Sequence, residues 1–233
     1  MGMNAAPLPS QEHDKRSNDP VGLIGLIALL GAFTAVSAIL TWRLPSSGNV
    51  STAFKAAAYG AVFAFEWILA GYAAWRLPQL GLSARNVINI PRTVKRWLLD
   101  VLVACGFWVI VAAVAVGLQF LLQPGHPRFL ILIPENRTEI ALWCVLSLTA
   151  GFCEELVFRG YLQQTLKRYW NVGWAIAAQA IFFGLVHIYQ GFKSVVPILV
   201  LGLMFGCVAY WRRSLWPGML VHMWTDIAGV IFR

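Results

Sequence analysis

Seven stretches of this 233-residue chain are almost wholly apolar, with polar residues confined to the gaps between them and to a few interior positions. The runs cover residues 21–42, 54–77, 97–122, 140–158, 172–189, 195–211 and 215–232. A helix rising about 1.5 Å per residue needs roughly 20 residues to cross ~30 Å of hydrocarbon, and the first four runs approach or exceed that length. The last two are short and follow closely on their neighbours. Hydrocarbon offers no partner to a free peptide group, so each run must satisfy its own backbone hydrogen bonds and should be helical. The pattern predicts an all-α, polytopic membrane protein of about seven transmembrane helices.

Residues 1–20 break the pattern. They are polar, mixed in charge and carry Pro7, Pro9 and Pro20, and are expected to form a flexible tail. They lack the basic-then-apolar order of a cleavable signal peptide, and run 21–42 is too long for the apolar part of one, so it reads as a retained first helix. Short loops rich in Lys and Arg stay cytoplasmic. With the amino terminus inside, twelve of the 18 basic residues fall on that side, while Arg43, Lys55, Arg128, Arg137, Lys193 and Arg233 fall on the other. The expected location is the cell (inner) membrane, multi-pass, with a cytoplasmic amino terminus. Composition agrees: 59% of residues are hydrophobic, 12% are charged against about 25% in a soluble domain, and mean hydropathy is +0.67. Orientation and anionic headgroups account for the net charge of +8, so membrane lipids rather than nucleic acid are the expected partners. Residues 85–97, rich in Arg and Lys, are expected to lie along the interface as a basic amphipathic stretch.

Ionisable side chains inside such runs cost at least ~2.5 kcal/mol each at mid-bilayer, and several together mark a functional site. They occur in three patterns: Glu154-Glu155-x-x-x-Arg159, Phe183-x-x-x-His187 and His222-x-x-x-Asp226. On a helix, Glu155 and Arg159 share a face, and the guanidinium can hold that carboxylate ionised and oriented. Glu154 is turned from Glu155 by about 100° and points elsewhere, where it can act as a general base. His187 closes a run that is apolar apart from Gln179. Its imidazole can accept a water proton or position that water for a carboxylate. Asp226 can orient the His222 ring.

Each pattern alone has an ordinary reading: an ion pair near a helix end for Glu155 and Arg159, an interhelical hydrogen bond for a lone membrane His. Their succession on neighbouring helices favours an active site inside the bundle. Two imidazoles and several carboxylates can also ligate zinc, but the H-E-x-x-H spacing is absent, so metal use stays open. Cys105, Cys144, Cys153 and Cys207 lie in apolar runs without a C-x-x-C pair and read as small buried hydrophobes. Cys153, beside Glu154, is weighed as a nucleophile and set aside, since nothing nearby arranges a thiolate.

The order E-E-x-x-x-R, F-x-x-x-H, H-x-x-x-D, with Gly160 following Arg159, resembles the CPBP intramembrane protease family, which unites type II CAAX prenyl endopeptidases with bacteriocin-processing and immunity proteins. The likeness covers roughly residues 140–232. It implies a tail (1–20), accessory transmembrane helices and loops (21–137) and a protease core (138–233). It implies that Glu154 and His187 activate a water that attacks a peptide carbonyl, that Glu155 and Arg159 hold the shape of the site, and that His222 and Asp226 stabilise the oxyanion or position the water. The implied activity is that of an endopeptidase acting on a membrane-associated or lipidated protein or peptide. The family has been described both as metalloproteases and as metal-free glutamate proteases; between zinc and no metal, the metal-free version is favoured. Two other functions stand beside this one. A proton-coupled transporter would use Glu66, Glu154, His187 and Asp226 as a relay, but the chain has no internal duplication. A non-proteolytic membrane partner or immunity protein would not need the intact Glu154 and His187.

Depth poses a difficulty. At about 1.5 Å per residue, Glu154 and His222 fall toward the cytoplasmic half, and His187, late on an outward-running helix, toward the other. The conflict eases if the fourth helix continues past Arg159 to about Lys167, or if the helix bearing His187 begins deeper. Glu66, midway along the second run, can face the same cavity, but pairing with a Trp or a backbone group is the favoured reading. Asp100 is expected near a helix start, where the dipole suits it and water is close. Gly151, Gly184 and the Gly202-x-x-x-Gly206 spacing predict close helix packing.

Overall fold

The computed structural model describes residues 18–45, 48, 50–122 and 128–231; of the tail expected over residues 1–20, residues 1–17 lie outside them. All seven apolar runs are helical. In chain order the elements are α1 (Pro20–Arg43), α2 (Thr52–Arg76) with a 3-10 turn Leu77–Leu80, α3 (Ala84–Ile88), α4 (Val94–Leu122), a 3-10 turn Arg128–Leu132, α5 (Arg137–Glu154), a π-helical turn Glu155–Leu162, α6 (Gln163–Leu166), α7 (Val172–Val186), a 3-10 turn Ile188–Gln190, α8 (Phe192–Arg212) and α9 (Trp216–Ile231). Side-chain caps set several of the starts. Asp19, Ser51, Asn136 and Asn171 accept from the backbone N–H of Gly22, Phe54, Glu139 and Trp174, supplying acceptors to first-turn donors that have none within the helix.

Among the described residues five helical segments are long and apolar enough to cross a membrane: Pro20–Arg43, Thr52–Leu80, Val94–Leu122, Arg137–Leu166 and Phe192–Arg212. α7 and α9 have 15 and 16 residues, or about 22–24 Å at a rise of ~1.5 Å, so two of the seven expected spans are shorter than the hydrocarbon is thick. The chain is an all-α polytopic membrane protein, and its outward Leu, Ile, Val and Trp side chains face lipid. α5 packs against α2 and α9, α7 lies along α8, and α4 covers α8 and α9. The small residues sit at these crossings. A Cβ on Gly151 would lie 2.7 Å from the Met223 amide nitrogen of α9, and one on Gly202 would lie 3.1 Å from Ala180 of α7.

Lipid competes on equal terms for apolar helix faces, so buried charges do much of the pinning. Lys55 on α2 is fully buried and donates to the Ile133 carbonyl at 2.9 Å, to Glu139 at 3.0 Å and to Glu135 at 3.2 Å. Tyr59 donates to the Leu132 carbonyl, so one face of α2 holds the whole segment that leads into α5. Asp100 is buried against Arg212 of α8 at 2.6 Å rather than standing in water at a helix start. Nor do residues 85–97 form one interfacial helix. Asn89 turns into the left-handed region at φ 50 and Pro91 excludes its predecessor from helical backbone, so the stretch divides between α3 and the first turn of α4.

Asp19 belongs to the bundle and not to a tail. Its buried carboxylate caps α1, pairs with Arg76 at the end of α2 and accepts from the Tyr161 hydroxyl at 2.7 Å. Burial opposes its charge, but the bonds from Arg76, Tyr161 and the Gly22 N–H outweigh that and hold the carboxyl below the ordinary 3.8. A lowered folded value means stabilisation that is present above the unfolded pKa and lost as pH falls through the folded one. Asp19→Asn keeps the cap and loses the ion pair, which is expected to cost about 2 kcal/mol at pH 7. Thermal unfolding in detergent should show the gap between parent and variant closing as pH falls below about 4.

Candidate active site

The continuous rod Arg137–Leu166 changes pitch where its two acids and its arginine sit. From Glu155 to Leu162 the turn is π-helical, a wider winding often found where a helix carries function, and all eight of its residues are buried. The rod also removes the conflict of depth. Glu154 is the eighteenth of its 30 residues, and α7 stops after 15 residues with His187 as its C-cap, so the two meet well inside the bundle.

Glu155 and Arg159 form the inner wall. Both are inaccessible to solvent, and the Arg159 guanidinium donates to Glu155 Oε1 at 2.8 Å. It also donates to the Gly202 carbonyl of α8 at 3.3 Å and lies over the rings of Phe183 at 4.3 Å and Phe205 at 5.3 Å. The cation thus has a carboxylate, a carbonyl and two π faces in place of water. Gln179, the polar residue in the apolar α7 run, donates to the same Gly202 carbonyl at 2.9 Å. His222 Nδ1 sits 3.2 Å from Glu155 Oε1. The carboxylate can only accept, so that nitrogen carries the proton and the ring's orientation is set.

Glu154 points the other way. His187 Nε2 lies 3.8 Å from its Oε1 and His222 Nε2 lies 3.7 Å from its Oε2, while Asp226 Oδ2 is 3.8 Å from His222 Nε2. These separations exceed a direct hydrogen bond and suit a bridging water. His187 Nδ1 is 2.7 Å from the Phe183 carbonyl, an obligate acceptor, so in the neutral ring the free lone pair is on Nε2 and faces Glu154. That is the tautomer a proton acceptor at this position requires. The Asp226 backbone carbonyl accepts from Trp143 of α5 at 3.2 Å, which fixes the turn of α9 that carries it.

The six groups meet at the inner end of a cavity of about 930 Å³, where Glu154, His187, His222 and Asp226 line the wall. Its lining is mainly apolar and comes from the second half of α1, the first half of α2, the 128–132 turn, α5 from Trp143 onward, α8 and the second half of α9. All three sequence patterns therefore converge on one place. What the sequence reading missed is Glu66, which lines the cavity instead of bonding a Trp or a backbone group, and Gln179. A lone polar residue in an apolar run was the available signal for both.

Residues 136–228 match the family model described as type II CAAX prenyl endopeptidase Rce1-like. Those residues are similar to the CPBP family. The matched residues include Glu154, Glu155, Arg159, His187, His222 and Asp226, and leave Glu66 outside. No curated protein and no solved structure gives a significant match. Among the described residues no group of three or more His, Cys, Asp or Glu side chains is arranged to hold a metal ion, and the two imidazoles turn Nε2 toward opposite oxygens of one carboxylate.

Arg159→Leu leaves Glu155 buried beside His222 without its strongest partner and is expected to cost about 3–5 kcal/mol of stability. The double change Glu155→Gln with Arg159→Leu removes both charges and should cost less than Arg159→Leu alone. Thermal unfolding of the three proteins in one detergent measures the difference.

Proposed function

We propose that this protein is an intramembrane endopeptidase that hydrolyses a peptide bond of a membrane-associated or lipidated protein or peptide. The observation that carries this is Glu154 set between the Nε2 atoms of His187 and His222, at water-bridging distance from both, at the polar end of an apolar cavity.

A water held between Glu154 and His187 Nε2 loses a proton to this pair as its oxygen attacks the carbonyl carbon. General-base help of this kind contributes about 10²–10⁴-fold. His222, anchored on Glu155 through Nδ1, turns Nε2 to the same space. With a proton there it donates to the carbonyl oxygen as negative charge develops, and Glu154, Glu155 and Asp226 balance the imidazolium. One such donor in a water-poor site is worth about 3–4 kcal/mol. The proton taken from water then passes to the leaving nitrogen as the C–N bond breaks, and Glu154 and His187 return to their starting state. Glu155 and Arg159 touch no reacting atom; they hold the ring and the wall in place.

In this reading residues 138–233 supply the chemistry, residues 21–137 enclose it, and no metal is required. The amino terminus lies in the cytoplasm of a cell with an inner membrane, where the majority of basic residues then fall. In that orientation the part of the cavity lined by the end of α1 and the start of α2 lies toward the opposite face.

Glu154→Gln and His187→Ala are each expected to lower proteolysis by at least about 100-fold, with the yield of folded membrane protein nearly unchanged. The comparison is made on membrane peptides from cells expressing parent or Glu154→Gln; identical peptide sets in the two would sink the assignment. Activity of the purified parent should also survive a strong zinc chelator, whereas loss on chelation and recovery with added zinc would overturn the metal-free mechanism.

A further inference from the structure

Glu66 is the polar side chain at the inner end of the cavity for which the mechanism above has no use. It stands midway along α2, outside the matched domain, and is 7% exposed. Its Oε2 is buried without a hydrogen bond, and among the described residues no cation pairs with it. An acid at this depth costs at least ~2.5 kcal/mol, and its neighbours on the wall, Val62, Phe65 and Leu69, show that an apolar residue fits the site.

What Glu66 faces gives the reason to keep it. A second, small cavity of about 30 Å³ is walled by Glu66, Glu154, His187, Cys153 and Tyr189 among apolar side chains. A water needs roughly 10–15 Å³ and two to four polar partners, so this space takes one or two waters and brings Glu66 and the two proposed water-activating groups to the same molecule. To this small cavity α1 adds only apolar Leu30 and Phe33, and His222 and Asp226 of α9 line the large cavity, which Glu66, Glu154 and His187 also line.

We propose that Glu66 is a further catalytic residue, which together with Glu154 and His187 holds the attacking water. This rests on the endopeptidase reading. One hydrogen of the water goes to Glu154 and His187, and a Glu66 oxygen accepts a hydrogen bond from the other. With both hydrogens directed, a lone pair of the water oxygen is aimed at the carbonyl carbon. The O–H bond to the first hydrogen breaks, the C–O bond forms, and the leaving nitrogen takes that proton as the C–N bond breaks. Glu66 neither gains nor loses a proton over the cycle.

The test uses the purified full-length protein and a peptide that the parent cuts and Glu154→Gln spares. Glu66→Leu is expected to lower kcat by at least about 100-fold with KM within about threefold, because positioning of the water, not binding, is lost. Its thermal midpoint should equal or exceed that of the parent, since a buried unpaired carboxyl has been removed. Glu66→Gln keeps an accepting oxygen in the same place and should retain at least about a tenth of the activity. A Glu66→Leu protein with kcat within about threefold of the parent would refute the proposal. So would a joint fall of activity and thermal midpoint in both variants, which is the mark of a structural role. If parent and Glu154→Gln yield the same peptides, the endopeptidase reading falls first and the role of Glu66 with it.

Discussion

A guanidinium and a carboxylate sealed in hydrocarbon must answer each other completely, and the centre of this bundle is arranged around that demand. Arg159 and Glu155 are sealed from solvent, and the partners the protein gives them are each other, the Gly202 carbonyl, the His222 ring and the faces of Phe183 and Phe205. Those partners come from α7, α8 and α9, so a single ion pair ties three further helices to the rod that carries it. The π-helical winding lies on the same residues and brings the side chains of Glu155 and Arg159 to that meeting point. Glu154, one residue earlier on the regular helix, is thereby turned toward the cavity.

The same logic operates at the edges with different residues. Asp19 with Arg76 and Tyr161, Lys55 with Glu139, and Asp100 with Arg212 each join elements that lipid would separate as readily as it would leave them together. They lie away from Glu154 and the two imidazoles, and they hold α1, α2 and α4 around the matched segment. Through them the first half of the chain frames the cavity and delivers Glu66 to it.

Much of this was legible in the sequence. The apolar runs located all seven long helices, since spanning hydrocarbon requires an unbroken apolar stretch and leaves the backbone no choice but to bond internally. Acids, base and imidazoles inside those runs named the site, because hydrocarbon makes an idle charge expensive. The positions that defeated sequence reading were those where a polar residue's partner lies far along the chain. Asp19 looked like part of a tail until Arg76 and Tyr161 were beside it, and Asp100 looked solvated until Arg212 was.

By itself, then, the amino-acid order determined the membrane, the helices and which side chains could not be there by accident, all of which follow from the local cost of transferring each group into hydrocarbon. Tertiary structure alone decided depth and direction. It set Glu154 level with His187 by running α5 through a π turn and stopping α7 early, and it turned Glu66 from a presumed neighbour of some indole or peptide group into part of the cavity wall. Those outcomes depend on helix pitch, helix ends and the rotation of one helix against another, which are fixed by contacts between residues distant in the chain.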